Sequence, residues 1–166
     1  MRSLIALGIV LSVTVAGLVA LALFLGSLGS DSSGEESIER EPLTIVTADG
    51  EVHRLQVEIA DTPEERSVGL SGRPEIEPDT GMLFINPNQA TGFWMKDTLA
   101  PLSIAFLARC GEILDIQDME PQSLDLHNTD EEYLFGLEVP QGWFAANAIE
   151  PGDLVSIPRD HRPDGC

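Results

Sequence analysis

The heptapeptide Leu102-Ser103-Ile104-Ala105-Phe106-Leu107-Ala108 decides the fold class. It is apolar on both of the faces that a strand presents, so it reads as a strand buried at the centre of a sheet. Arg109-Cys110-Gly111-Glu112 turns it into a second strand, Ile113 to Met119. Upstream, Leu43 to Ala48 is β-branched and weakly alternating, and Asp49-Gly50 is a strong hairpin signal. Leu55, Val57 and Ile59 then alternate with Gln56 and Glu58, which predicts a half-buried partner strand. Gly81 to Asn86, Phe93 to Lys96, Tyr133 to Val139 and Leu154 to Ile157 read as further strands.

A single helix interrupts this series. Thr62 is placed to cap it, Pro63 suits the first helical position, and Glu65 closes a capping box. The helix is expected to end near Gly72, although Gly69 inside it costs about 1 kcal/mol relative to Ala. Gln141 to Ile149 is expected to hold a helical turn, and Glu150-Pro151-Gly152-Asp153 a tight turn. The sum is a mainly β fold, a compact sandwich-like or barrel-like domain with one short helix covering an opening.

The chain has 166 residues and sorts into four segments. Leu4 to Leu25 carries no charge and is long enough to cross a bilayer at about 1.5 Å per residue. Residues 1–26 are therefore expected to be an N-terminal transmembrane helix. A signal segment cleaved near Gly26 to Ser30, which would give a secreted form, is the alternative. Arg2 precedes the run and Asp31, Glu35, Glu36, Glu39 and Glu41 follow it. This asymmetry puts the N-terminus in the cytoplasm and the domain outside. Residues 27–42 read as an acidic flexible linker, 43–158 as the folded domain, and 159–166 as a loose tail.

Acidic residues number 28 against 9 basic ones, a net charge of −19. Such a chain lacks the basic face that phosphate neutralisation requires, which argues against nucleic acid as a partner. Lys96 is the only lysine. Few lysines and many carboxylates suit a protein of an extremely salty environment, where the Debye length is roughly 3 Å or less. A GC-rich genome would explain the scarcity of lysine but not the charge.

Two cysteines cannot make a disulfide framework, although a Cys110–Cys166 disulfide outside the cell remains open. His53, His127 and His161 show no ligand spacing. Asp115, Asp118, Asp125 and Asp130 lack the order and glycine of a calcium loop. No metal and no cofactor is expected.

Three clusters stand out: Arg66-x-x-Gly69-Leu70-x-x-Arg73, Gly81-Met82-Leu83-Phe84, and Phe93-Trp94-Met95-Lys96-Asp97-Thr98 followed by Pro101-Leu102-x-Ile104-x-Phe106. Leu137-Glu138-Val139 and Gly152-Asp153 complete the series. In this order they resemble the DUF192 family, also called UPF0127, from about Thr44 to Ile157. The resemblance implies a mainly β domain with one conspicuous helix, and no established activity. Ser71 stands where a methionine is common in the family, and Ser103 where an aspartate is common. The second departure weighs against an enzyme, should that aspartate be a catalytic carboxylate.

On an alternating strand, Trp94 and Lys96 share one face, an aromatic plate beside an amine. Arg66 and Arg73, seven residues apart, would share a helix face if the helix reaches that far. Glu138 follows an apolar strand and is a candidate buried partner for Lys96 or an arginine. Arg66, Arg73, Trp94, Lys96 and Glu138 are thus the candidate ligand-binding residues. Their first reading is a membrane-anchored extracytoplasmic binding or accessory module for a small polar ligand, a glycan or a partner envelope protein. The second is a hydrolase- or lyase-type enzyme with Lys96 or Glu138 as acid or base. A structural envelope protein without a pocket is the third.

Overall fold

The computed structural model describes residues 38–87 and 92–166. The Leu4–Leu25 run and residues 27–37 of the expected linker lie outside the described residues. Among the described residues no helix is long and apolar enough to cross a membrane. Residues Ile38–Cys166 form one compact unit that contains every strand described below, both apolar clusters and the disulfide. Its whole core lies inside these bounds, as in a domain with its own hydrophobic core.

Seven strands make one sheet in the order β5-β4-β6-β3-β2-β1-β7. They are β1 (Glu41–Val46), β2 (Val52–Ala60), β3 (Thr80–Ile85), β4 (Leu102–Leu107), β5 (Ile113–Met119), β6 (Phe135–Pro140) and β7 (Leu154–Val155). The Asp49-Gly50 turn joins β1 to β2, with Gly50 at φ 89°. Strands β2 and β3 are parallel, so the chain must cross over between them. The helix α1 (Pro63–Val68) lies in that crossover. Its capping box forms as expected: Thr62 Oγ1 accepts from the Glu65 N–H, and the Glu65 carboxylate accepts from the Thr62 N–H. Those contacts, together with the Asp61 N–H, hold the Glu65 carboxyl below its ordinary pKa.

The heptapeptide forms β4, between β5 and β6, with all six strand residues buried. Strands β3 and β6 are likewise buried on both faces, except for Pro140 at the end of β6. One face carries Leu43, Ile45, Leu55, Leu83, Leu107, Phe135 and Leu137, covered in part by Trp143 and Phe144 of the one-turn helix α2 (Trp143–Ala146). The other face carries Met82, Phe84, Ile104 and Phe106, covered by Leu70, Phe93, Met95 and Tyr133. Each such fully buried apolar side chain stabilises the fold by about 1.5–3 kcal/mol.

The sheet curls into a half-barrel, and its two edges meet at one end. Glu112, just before β5, bridges Leu154 of β7, and the Ile113 N–H donates to the Asp153 carbonyl at 2.9 Å. Asp153 also fastens the first hairpin, since its carboxylate accepts from the Ala48 N–H at 2.8 Å and the Glu150 N–H at 2.9 Å.

Four expectations need correction. Helix α1 ends at Val68, not near Gly72, because Gly69 adopts φ 51° and its position lies against the Phe84 ring, 3.3 Å from where a Cβ would stand. Phe93 to Lys96 is not a ladder strand; it makes one isolated bridge, Phe93 with His127. Strand β1 begins at Glu41, inside the stretch read as linker. The tail 159–166 is not loose, because Cys166 forms a disulfide with Cys110 and Arg159–His161 forms a 3-10 turn.

Candidate functional site

Parts of three motif clusters and Glu138 converge on the second face of the sheet. The Gly72 N–H donates to the Asp97 carbonyl at 2.8 Å, and the Ala100 N–H donates to the Arg73 carbonyl at 3.2 Å. The loop after α1 is thereby stitched to the segment that carries Phe93 to Thr98. Asp97 can close this turn because it takes a left-handed conformation, φ 59°. The Phe93 N–H and carbonyl pair with His127, and the Met95 N–H donates to the Ser123 carbonyl. The alternation read from the sequence survives without a full ladder: Phe93 and Met95 are buried, whereas Trp94 is 52% exposed and Lys96 is exposed. Lys96 Nζ lies 5.5 Å from the centroid of the Trp94 ring.

Between α1 and this segment opens a cleft of about 610 Å³. Arg66, Trp94, Lys96 and Glu138 all line it. Its walls are mostly apolar, with Leu70, Phe84 and Phe93 buried and Val68, Trp94 and Leu126 exposed. This volume falls within the range of about 300–1,000 Å³ usual for small-molecule sites. The Arg66 guanidinium is held by the Asp61 and Ile85 carbonyls, which fix its position without neutralising its charge. Among the described residues, neither Arg66 nor Lys96 makes an ion pair with a carboxylate.

Glu138 stands in the middle of β6, beside Met82 of β3 and Ile104 of β4. Neighbouring strands on both sides strip it of water; only 5% of its surface is exposed. Burial pushes its carboxyl pKa up to about 8. No hydrogen bond or ion pair to that carboxyl occurs among the described residues. The expected pairing of Glu138 with Lys96 or an arginine is therefore not made. Burial thus favours the protonated form of this acid near neutral pH, on the lining of a mostly apolar cleft.

Arg73 lies elsewhere. It is off the shortened helix and makes a two-pronged contact with the Glu58 carboxylate, which raises its own pKa further. Arg40 approaches the same carboxylate at 3.9 Å. The expected shared face of Arg66 and Arg73 is thus lost where Gly69 ends the helix.

Ser103 is buried on the face of β4 opposite to Glu138. Its hydroxyl donates to Asp118 on β5 and accepts from the Gly142 N–H at 2.9 Å, where α2 begins. A departure from the family pattern at this position does not touch the cleft.

Sequence reading missed the walls. Phe84 and Thr98 stand out only as members of motif strings, Val68 and Leu126 not at all, and no local signal aims the four at a common space. The Gly81-Met82-Leu83-Phe84 cluster held the nearest clue. A Cβ on Gly81 would meet the Glu138 carbonyl oxygen, so glycine there lets β3 and β6 approach.

A family model, DUF192, described as an uncharacterized ACR, matches residues 44–157. Among solved structures, the chain is similar to a protein of Sinorhizobium meliloti 1021 described as a candidate transcription regulator. The identity is 34% and the TM-score 0.69, over 74% of this chain and 97% of that one. It is also similar to a protein of unknown function from Novosphingobium aromaticivorans, at 30% identity and a TM-score of 0.67, over 74% of this chain and 89% of that one. No curated protein matches the chain.

Proposed function

We propose, for a chain that belongs to the DUF192 family, that the folded domain is a binding or accessory module that receives a small polar molecule in the cleft. The observation that supports this is the gathering of Arg66, Trp94 and Lys96 in one cleft with a buried, unpaired Glu138. Binding would raise the melting midpoint of the folded state by mass action. A thermal-shift screen of the Ile38–Cys166 domain against small carboxylates and anionic glycans tests it. At least one class should raise the midpoint, and Lys96→Met should reduce the rise. A screen without any stabilising compound would defeat the module reading.

One observation favours a second reading. A carboxyl whose burial favours the protonated form, in a cleft that a lysine also lines, suits a general acid of a hydrolase or lyase. Turnover by the parent domain that disappears in Glu138→Gln would support it. A transcription-regulator role, the description attached to the Sinorhizobium meliloti protein, is not carried over. A net charge of −19 offers no basic face to DNA.

The domain is further proposed to sit outside the cytoplasm on an anchor formed by Leu4 to Leu25. The Cys110–Cys166 disulfide supports an oxidising compartment. Native protein should then stay with membranes on carbonate extraction, and a soluble form beginning after Gly26 would refute the anchor. The acidity is proposed to serve life in concentrated salt. Cooperative melting of the domain should then sharpen in molar salt, and melting indifferent to salt would oppose the idea.

A further inference from the structure

We propose that the cleft selects a small organic anion, a carboxylate or sulfonate carried on an aromatic or other apolar body. This rests on the reading of the cleft as a binding site and names its ligand class. The walls come first. Leu70, Phe84 and Phe93 inside, with Trp94 at the rim, offer apolar and aromatic surface and few hydrogen-bonding groups. A glycan, which presents hydroxyls on every side, would leave those turned to these apolar walls unpaired. An apolar body loses nothing by entry.

Charge decides the other end of the ligand. Carboxylates outnumber basic groups 28 to 9 in this chain, yet Arg66 and Lys96 face the same cleft with no carboxylate paired to either among the described residues. The backbone carbonyls that hold Arg66 fix its direction and leave its charge available. Two uncompensated cations at one cleft repel an amine and attract an anion. The remaining titratable group of the lining is Glu138, and its burial favours the uncharged form near neutral pH, so the floor opposes an anion little. As a neutral acid it also offers one O–H donor to a polar group on the ligand.

Two dyes separate the ligand class from binding itself. 8-Anilinonaphthalene-1-sulfonate is an aromatic body with one sulfonate, and N-phenyl-1-naphthylamine is the same body without it. Fluorescence titration of the Ile38–Cys166 domain should give an affinity for the sulfonate about tenfold above that for the neutral amine. Lys96→Met and Arg66→Met should each weaken the sulfonate about fivefold and leave the amine unchanged, with near-ultraviolet circular dichroism confirming native packing. Raising the pH through 8 should weaken the sulfonate in the parent domain and not in Glu138→Gln. Equal binding of both dyes, insensitive to Lys96→Met, would overturn the anion class and leave cleft binding standing. Binding of neither dye would overturn both.

Discussion

Phe93 fills the space that a side chain on Gly136 would need: a Cβ at Gly136 would meet the Phe93 ring carbon Cζ at 2.5 Å. Gly136 lies two residues before Glu138 on β6, and so on the same face. Phe93 packs edge-on against Phe84 at 5.1 Å and against Phe106 at 5.9 Å. The aromatic wall of the cleft therefore depends on a missing methyl group in the strand beneath it.

Gly136→Ala should overpack this contact. Inserting a methylene-sized group into a packed core costs about 1–3 kcal/mol. Phe93 would be displaced, and with it the backbone that presents Trp94. Urea unfolding should show the loss, and the sulfonate dye should bind more weakly. A change below about 0.5 kcal/mol would mean that Phe93 can move aside freely.

Lys96→Met should leave the fold nearly intact. Its amine is exposed, makes no ion pair among the described residues, and gains only the contact with Trp94. Exposed cation–π contacts contribute about 0.5–1 kcal/mol. The melting midpoint should fall by no more than a few degrees. A loss of about 3–5 kcal/mol would instead mark a stranded buried charge.

Arg73→Met should behave in the opposite way. It removes the main partner of the Glu58 carboxylate, whose side chain is only 13% exposed. Arg40 stays 3.9 Å away and offers a weak substitute. With partial solvent screening the expected cost is roughly 1–2 kcal/mol. Dye binding should remain unchanged, because Arg73 is not part of the cleft lined by Trp94 and Lys96. A weaker dye affinity with preserved stability would return Arg73 to the site.

Local chemistry made much of the fold legible in advance. An apolar heptapeptide can only be an interior strand, Asp49-Gly50 can hardly avoid a hairpin, and Thr62 with Glu65 writes a helix start. The pairing order was not legible, because nothing local says that β2 joins β3 in parallel or that β6 inserts between β3 and β4. The same distinction runs through the site. Trp94 and Lys96 share a face because alternation is local. The state of Glu138 follows from two flanking strands distant in sequence, and the loss of Arg73 follows from a helix that stops four residues early at a glycine packed on Phe84.

Reducing the Cys110–Cys166 disulfide should destabilise the domain by about 2–4 kcal/mol, since the bridge spans 56 residues of chain. The bridge ties the tail to the β4–β5 turn, beside the lacing of β5 to β7. Urea unfolding with and without a thiol reductant measures this, and thiol titration of the native domain should find no free cysteine. Identical midpoints would show that backbone lacing alone closes this end of the half-barrel.

Glu138→Gln should flatten a pH dependence that the parent domain carries. In the unfolded chain this carboxyl titrates near 4.5, and burial in the native strand moves it to about 8. Between these values the unfolded state has released the proton and the native state has kept it. The native state then binds more protons, so its stability falls as the pH rises through that window and levels off above it. The difference corresponds to no more than about 5 kcal/mol. Asp49 and Glu65, held below their ordinary values by hydrogen bonds from Thr47 and Thr62, act in the other direction and at lower pH. Glutamine keeps the size of the neutral acid, can both donate and accept as it does, and cannot ionise. Urea unfolding of both proteins at pH 5, 6.5, 8 and 9 should therefore show the variant gaining on the parent with each step up to pH 8. Parallel curves would mean that Glu138 ionises as easily in the fold as in water, and that the floor of the cleft is charged.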